Sequence, residues 1–221
     1  MEIIPPSPGA ALGPGHVEQI AAVAEEVKAA CPQVELVLGV GEVFAHRKRF
    51  VPPGAAGIPR RLGHLAALRQ CLARTKAIDA VALALYYPNT DLLHLMRTID
   101  EVSESGRPID LLMAAAPSAW SDDPRALLGR GRENLTCGLG YWRRPWSPEV
   151  QAAYGLGLAL LAAGHPAVRL LEWSDFSDAG EHLFPHGGLI DEAGRPKPLF
   201  ERLAELRRDA HSASRPWAEE L

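Results

Sequence analysis

Apolar residues along this chain follow two patterns that alternate. One is the three-to-four-residue spacing of an amphipathic helix, first seen from Val17 to Lys28. The same spacing returns in four later segments, 62–72, 91–102, 147–164 and 199–206. The other pattern is a short, nearly continuous apolar run, which occurs at 34–40, 78–87, 109–115 and 167–173. Such runs are typical of strands that are buried on both faces of a parallel sheet.

This alternation predicts the fold class α/β, with one helix followed by four strand-helix units. Four units correspond to about half of an eight-unit barrel, so we predict a partial (β/α)8 TIM barrel. An open doubly wound sheet is the alternative. It is disfavoured because no Gly-x-Gly-x-x-Gly motif follows a strand.

The predicted barrel occupies residues 16–210, between an N-terminal arm and a polar tail. Residues 1–15 are rich in Pro and Gly and lack periodicity, which indicates an arm or loop. Residues 211–221 form the tail. A loop of about thirty residues, 117–146, interrupts the barrel pattern, and loops of this length are usually functional or disordered. Its Trp120, Trp142 and Trp146 argue against disorder, so they form either a sugar platform or a small core of the loop itself.

Composition and charge exclude several classes of function. The 221 residues are 47% hydrophobic and 23% charged, which is ordinary for a globular domain. The net charge of −4 gives no electrostatic reason to expect binding to nucleic acid or to an anionic membrane. No histidine pattern indicates a metal site, and we expect no cofactor. No Gly-x-Ser-x-Gly elbow supports an esterase.

The three cysteines are widely spaced, at positions 31, 71 and 137. Their odd number and spacing favour reduced thiols over disulfides or metal ligands. The N-terminus shows no basic segment followed by an apolar one, so no signal peptide is visible. If the chain is complete, these features predict a cytoplasmic protein.

Acidic and aromatic residues cluster where the last predicted strand ends. The run 168–178 carries Glu172, Trp173, Asp175 and Asp178, and a segment rich in Gly and Pro follows at 186–198. Active sites of barrels are built at the C-terminal ends of their strands. This stretch is therefore the first candidate for a functional site.

The same stretch resembles the last strand of family 10 glycoside hydrolases, the endo-1,4-β-xylanase type. The residues His165-Pro-Ala-Val-Arg-Leu-Leu-Glu-Trp-Ser-Asp175 are similar to that strand, and Gly187-Gly-Leu-Ile-Asp191 with Arg195-Pro-Lys-Pro198 is similar to the family's closing segment. Weaker likenesses cover 78–118 and the lead into the seventh helix at 147–151. The resemblance implies a TIM barrel, a carbohydrate ligand and a relation to xylan-degrading enzymes.

Both catalytic carboxylates that the resemblance implies are missing from the sequence. Retaining glycosidases use two carboxyl groups about 5–5.5 Å apart. The family's nucleophile is a Glu at the end of the seventh strand, where this chain has Met113 or a neighbouring Ala. The acid/base Glu belongs to the fourth strand, and this chain corresponds to the part after it. Whether the protein is an enzyme is therefore uncertain from the sequence.

Other residues are candidates for the missing roles. Glu172 and Glu42 lie near strand ends and are the candidate catalytic acids, although each could be an ordinary ion-paired or loop acid. The candidate sugar-binding residues are Trp173, Asp175, Asp178, Tyr86, Asn89 and Trp120. Trp173 could stack on a pyranose ring, and Asp175 and Asp178 could instead be purely structural. Asp110 is expected to be buried and hydrogen-bonded.

A half-barrel is expected to expose parallel strand edges near 34–40 and 167–173. Three hypotheses follow. The protein is a truncated glycoside hydrolase-like chain with weak or no activity, a non-catalytic carbohydrate-binding protein, or one subunit of a split barrel. In the last case a second copy or a separate chain would complete the barrel.

Overall fold

The computed structural model describes residues 2–3, 14–40, 64–85, 91–119, 123, 125–127 and 144–213. Within these residues helices and strands alternate. The strands are β1 (Glu2–Ile3), β2 (Val37–Val40), β3 (Ala80–Ala84), β4 (Ile109–Ala114) and β5 (Val168–Trp173). The helices are α1 (Pro14–Ala30), α2 (His64–Arg74), α3 (Leu92–Ser103), α4 (Pro148–Gly164) and α5 (Pro198–Ala213).

The strands form one sheet with the order β1-β2-β3-β4-β5. The pairs from β1 to β4 are parallel, and Leu38 lies opposite Val81, which in turn lies opposite Ile109. Consecutive strands are neighbours in the sheet, and each connection from β2 onward contains a helix. This is the repeated βαβ arrangement of a TIM barrel, so the predicted fold class is confirmed.

The two faces of the sheet differ in composition. One face carries large apolar side chains that are fully buried, including Val81, Leu83, Ile109 and Leu111. The helices α2 and α3 contact β2 and β4, respectively. The opposite face carries small residues such as Gly39 and Ala82, together with the buried acid Asp110. We call these the helix face and the small-residue face.

The N-terminal arm contains a strand that the sequence pattern did not predict. Glu2 and Ile3 pair in parallel with Val37 and Leu38. The expectation of a free edge at residues 34–40 is therefore wrong, because β1 covers part of that edge. Two residues are too few to show any apolar periodicity, so the sequence carried no signal for this strand.

Polar side chains cap the starts of α3 and α4. The side chain of Asp91 accepts a hydrogen bond from Leu93 N at 2.9 Å at the start of α3. Ser147 Oγ accepts one from Val150 N at 3.2 Å, and Pro148 occupies the first helical position of α4. Both serve main-chain N–H groups that lack a partner within the first helical turn.

The chain divides into two compact units. The first contains residues 1–86, 90–114 and 162–172, and we call it the sheet unit. The second contains residues 87–89, 115–161 and 173–221, and we call it the loop-helix unit. No helix among the described residues is long and apolar enough to cross a membrane.

Candidate functional site in the loop-helix unit

Glu172 and Trp173 end strand β5 and point in opposite directions. Arg169 shares the small-residue face with its partner Asp110, and side chains alternate along a strand, so Glu172 lies on the other face of the sheet. Glu172 lies on the helix face, is exposed, and makes no hydrogen bond or ion pair with described residues.

Trp173 is half-buried and its indole nitrogen is already bonded. Nε1 donates a hydrogen bond to the carbonyl oxygen of Gly187 at 3.1 Å. The ring is thereby tied to the loop that follows β5, through a contact between residues 14 positions apart. With its N–H occupied, the indole offers a ligand its ring surface alone.

Asp175 is a buried acid that organises the loop after β5. Its carboxylate accepts hydrogen bonds from the main-chain N–H groups of Leu183, at 2.7 Å, and Phe184, at 3.4 Å. Burial raises the pKa of Asp175, and these hydrogen bonds act in the opposite direction. The carboxylate therefore holds main chain in place.

Asp178 is more deeply enclosed, with 2% of the residue exposed. It accepts a hydrogen bond from Gly188 N at 2.8 Å and forms an ion pair with Lys197 Nζ at 2.5 Å. The ring nitrogen Nδ1 of His186 lies 3.8 Å from the same carboxylate. Asp178 therefore binds the strand exit to the segment 186–197.

Lys197 completes this cluster, and sequence reasoning did not single it out as a site residue. Its buried ammonium group also donates to Ser118 Oγ at 3.0 Å and to the His186 carbonyl at 2.8 Å. The Asp178 carboxylate, Ser118 Oγ and the His186 carbonyl are three acceptors, one for each proton of the ammonium group. The available signal was the Arg195-Pro-Lys-Pro198 segment, which contributed to the resemblance.

Two glycines allow the acids to approach the loop. A Cβ atom on Gly187 would lie 2.3 Å from Asp175 Oδ2, and one on Gly188 would lie 2.7 Å from Asp178 Oδ1. Any side chain at either position would displace a buried carboxylate. The two consecutive glycines at 187 and 188 are therefore required by this packing.

A second buried network joins residues 123–127 to the segment after Asp178. His182 Nε2 lies 2.8 Å from Asp123 Oδ2, and its Nδ1 lies 2.9 Å from the Gly180 carbonyl. Both neighbours are acceptors, so both contacts are hydrogen bonds when the imidazole carries two protons. Arg125 donates to Asp123 through Nε at 3.2 Å and to Glu192 at 2.5 Å.

Asp123 is ionised in this network. Burial alone would raise its pKa, but hydrogen bonds from the Arg125 main chain and side chain and from His182 outweigh burial and lower the pKa to about 2. Sequence reasoning missed both Asp123 and His182. They are 59 positions apart in an irregular region, where no periodicity links them.

The end of β4 carries no carboxylate among the described residues. Met113 has a left-handed backbone conformation with φ of 57°, and Ala114 to Ala116 are fully buried. Such a backbone conformation costs energy for a residue other than Gly. Asp110, at the other end of the strand, is bound by Arg169 through two hydrogen bonds of 2.7 and 2.9 Å, as expected for a buried structural acid.

Several predicted site residues lie outside the described residues: Glu42, Tyr86, Asn89 and Trp120. Their assignment remains a prediction, as does the catalytic role of Glu172. Trp146 is described and is buried, with 4% of the residue exposed, which favours the small-core alternative for that side chain. Within the described ranges, no cluster of His, Cys, Asp and Glu could hold a metal ion.

Known proteins resemble the chain in structure, although no protein-family model and no curated protein matches its sequence. Xylanase 10B from Thermotoga maritima is 12% identical, with a TM-score of 0.61 over 89% of this chain and 53% of that chain. Xylanase 10B from Thermotoga petrophila, in complex with xylobiose, is 14% identical, with a TM-score of 0.57 over 87% and 52%. The GH10 xylanase of Thermobacillus composti is 17% identical, with a TM-score of 0.56 over 87% and 59%.

These similarities identify the fold. The chain spans a little over half the length of the xylanases that it matches. Their TIM barrels agree with the alternating strands and helices described above, and with the sequence resemblance around β5. The protein is a partial TIM barrel of the kind found in family 10 glycoside hydrolases.

Proposed function

We propose that this chain is a glycoside hydrolase-like protein, related to xylan-degrading enzymes, that binds β-linked carbohydrate and hydrolyses it weakly or not at all. The observation that carries the proposal is that buried polar side chains fix the loop after β5 next to a half-buried tryptophan ring. Asp175, Asp178 and Lys197 are buried and fully engaged in holding this loop, and Trp173 presents a half-buried ring beside it.

A sugar-binding role fits the chemistry of Trp173. Pyranose rings expose C–H groups on their faces, and these pack well against the flat surface of an indole. Because the indole N–H is bonded to Gly187, the ring is held in one orientation before any ligand arrives. A site that is ordered in advance loses less conformational entropy when it binds.

The acids near the strand ends do not support efficient hydrolysis. A retaining mechanism needs a carboxylate nucleophile and a second carboxyl group within about 5.5 Å. The described end of β4 offers Met113, whose thioether can neither attack an anomeric carbon nor stabilise a developing positive charge. Asp175 and Asp178 are already engaged in main-chain and lysine contacts, and Glu172 is exposed on the helix face of the sheet.

Titration with xylohexaose by calorimetry tests the binding role. We expect millimolar or tighter affinity in the wild type, weakened about three- to tenfold by Trp173→Ala through the lost ring contact. Phe176→Ala is the matched control, because Phe176 is an exposed aromatic residue of the same loop, with 62% of it accessible. Absence of binding in the wild type at millimolar sugar would refute the proposal.

Release of reducing sugar from xylan tests the hydrolytic role. We expect at most a trace of activity, with equal traces in Glu172→Gln and in Glu25→Gln, an exposed Glu of α1. Robust release that disappears only in Glu172→Gln would contradict the proposal of weak hydrolysis. It would also identify Glu172 as a catalytic acid.

A second candidate function is that of one subunit in a split barrel. Strand β5 is the last strand of the described sheet, and Leu170 in its centre is 48% exposed. Both features are expected where a further strand and its helix would pack. Light scattering coupled to size exclusion gives the test, since a well-folded monomer at all concentrations would contradict self-association.

A further inference from the structure

The orientation of Trp173 depends on one carbonyl group that has two donors. The oxygen of Gly187 accepts from Trp173 Nε1 at 3.1 Å and from Gln151 Nε2 at 3.1 Å. Carbonyl oxygens have two lone pairs, so both contacts are satisfied together. The side chain of Gln151, on α4, and the indole of Trp173 therefore bind the same carbonyl oxygen.

Gln151 is fully buried, and its surroundings fix which end of its amide faces Gly187. Its Nε2 also lies 2.8 Å from the Ala116 carbonyl and 3.4 Å from the His186 carbonyl. All three neighbours are acceptors, so only the NH2 group can face them. The two short contacts use its two protons, and Oε1 is buried without a hydrogen-bond partner among the described residues.

The residue before Gly187 has little conformational freedom of its own. His186 adopts a left-handed conformation with φ of 50°, which is unfavourable for a residue with a Cβ atom. Its carbonyl accepts from Ser118 Oγ at 2.8 Å and from Lys197 Nζ at 2.8 Å. These bonds fix the carbonyl of His186. The next carbonyl, that of Gly187, accepts from both Gln151 and Trp173.

We propose that Gln151 is a positioning residue, which sets the orientation of the Trp173 indole through the Gly187 carbonyl. The link to sugar affinity rests on the proposed carbohydrate-binding function, but the orientation itself can be measured without a ligand. Gln151 is placed to act on the loop main chain and through it on the ring.

Two substitutions separate the hydrogen bond from the volume of the side chain. Gln151→Met keeps the length and removes the donor. Gln151→Glu replaces the donor by a carboxyl group, which donates one hydrogen bond when protonated and none when ionised. Burial among carbonyl oxygens raises the pKa of the introduced carboxyl, so its protonation is adjustable near neutral pH. Gln70→Met and Gln70→Glu, at an exposed position on α2, are the matched controls.

The readout is the indole N–H signal of Trp173 in a proton–nitrogen NMR spectrum, identified by its loss in Trp173→Phe. We expect the signal to move in Gln151→Met and to exchange faster with solvent. In Gln151→Glu it should return toward its wild-type position as the pH falls from 8 to 5. The ionisable groups of this loop, His186, Asp178 and Lys197, are present in every variant, so the wild type and Gln151→Met give the baseline for the same pH series. Only a response confined to Gln151→Glu supports the positioning role, and a role in stability alone would not produce it. Sugar affinity should weaken about three- to tenfold in Gln151→Met.

The outcomes distinguish this inference from the proposed function. An unchanged indole signal in folded Gln151→Met overturns the positioning role, whatever the sugar titration shows. If the wild type binds no sugar but the signal responds, the positioning role stands and the carbohydrate proposal fails. If both variants unfold, hydrogen exchange in the wild type decides. Equal rates for the Gln151 amide and Trp173 indole protons support a shared opening, and unequal rates contradict it.

Discussion

At the scale of single residues, buried polar side chains in the loop-helix unit pair with main chain. Together, the four side chains of Asp175, Asp178, Gln151 and Lys197 bond to seven loop residues, namely Ala116, Ser118, Leu183, Phe184, His186, Gly187 and Gly188. Apart from the ion pair between Asp178 and Lys197, these bonds are with main-chain N–H groups, main-chain carbonyls and one hydroxyl. Burying such groups without hydrogen-bond partners is costly, and in this set the atom without a partner among the described residues is Gln151 Oε1. They define one conformation for a segment that lacks regular secondary structure.

The ion pair between Lys197 and Asp178 gives a direct test of this view. Lys197→Met removes the ammonium group and leaves a buried carboxylate, so we expect a loss of about 3–5 kcal/mol in the free energy of unfolding. Urea denaturation followed by circular dichroism measures the change. Arg195→Met is the control, because the Arg195–Asp191 pair is exposed and should be worth at most about 1 kcal/mol. Similar small losses in both variants would contradict the structural role of Lys197.

At the scale of elements, ionic contacts connect segments that the chain order keeps apart. Arg169 on β5 bonds Asp110 on β4 and also forms an ion pair with Glu35, which precedes β2. In the other unit, the Asp123–His182 contact accompanies a bridge between Ala126 and His182. Each contact fixes the relative position of two segments within its own unit.

Removal of Arg169 should lower the free energy of unfolding, because it leaves the buried carboxylate of Asp110 without a cation. Arg169→Met leaves this nearly buried carboxylate without its cation, and we expect about 3 kcal/mol of destabilisation. The double variant Arg169→Met with Asp110→Leu should recover most of that loss, because it replaces the pair by apolar volume. Arg74→Met, which breaks an exposed pair with Glu18, serves as the control. If the double variant were as unstable as the single one, the loss would arise from packing of the arginine stem.

The Asp123–His182 contact predicts a pH dependence of stability. The folded pKa of Asp123 is about 2, below the model-compound value of 3.8, so ionised Asp123 stabilises the fold above about pH 4. This contribution disappears as the pH falls from about 4 to 2. Thermal unfolding between pH 7 and 2 should show a loss on the order of 2 kcal/mol that is absent in Asp123→Asn. Parallel pH curves for the two proteins would rule out the assigned role.

At the scale of the whole molecule, the sequence predicted the regular part of the fold well. The periodicity around Val17 and in the later helices, and the apolar runs that became β2 to β5, identified the alternation from residues alone. The predicted strand 78–87 contains β3, at Ala80–Ala84, and residues 86 and 87 lie outside the described residues. Strand β1 left no pattern, since pairing of two residues depends on main-chain groups.

The candidate site was less predictable for a physical reason. Trp173, Asp175 and Asp178 were proposed as site residues because they follow a recognisable strand and resemble a family pattern, and their role in binding sugar stays a prediction. Gln151 and His182 act through hydrogen bonds to residues far away in the chain, and such bonds produce no periodicity in the sequence. The sequence therefore pointed to residues at and after the end of β5, but not to the buried side chains that hold the following loop in place.

The exposed strand β5 has a consequence for the behaviour of the protein at high concentration. An apolar strand at the end of a sheet can pair with another chain and begin aggregation. Along Val168–Trp173, charged residues interrupt the apolar ones at Arg169 and Glu172. Charges at such positions act as gatekeepers, because pairing of two copies in register would place like charges side by side. We therefore expect replacement of Arg169 or Glu172 by an apolar residue to lower the solubility of this chain.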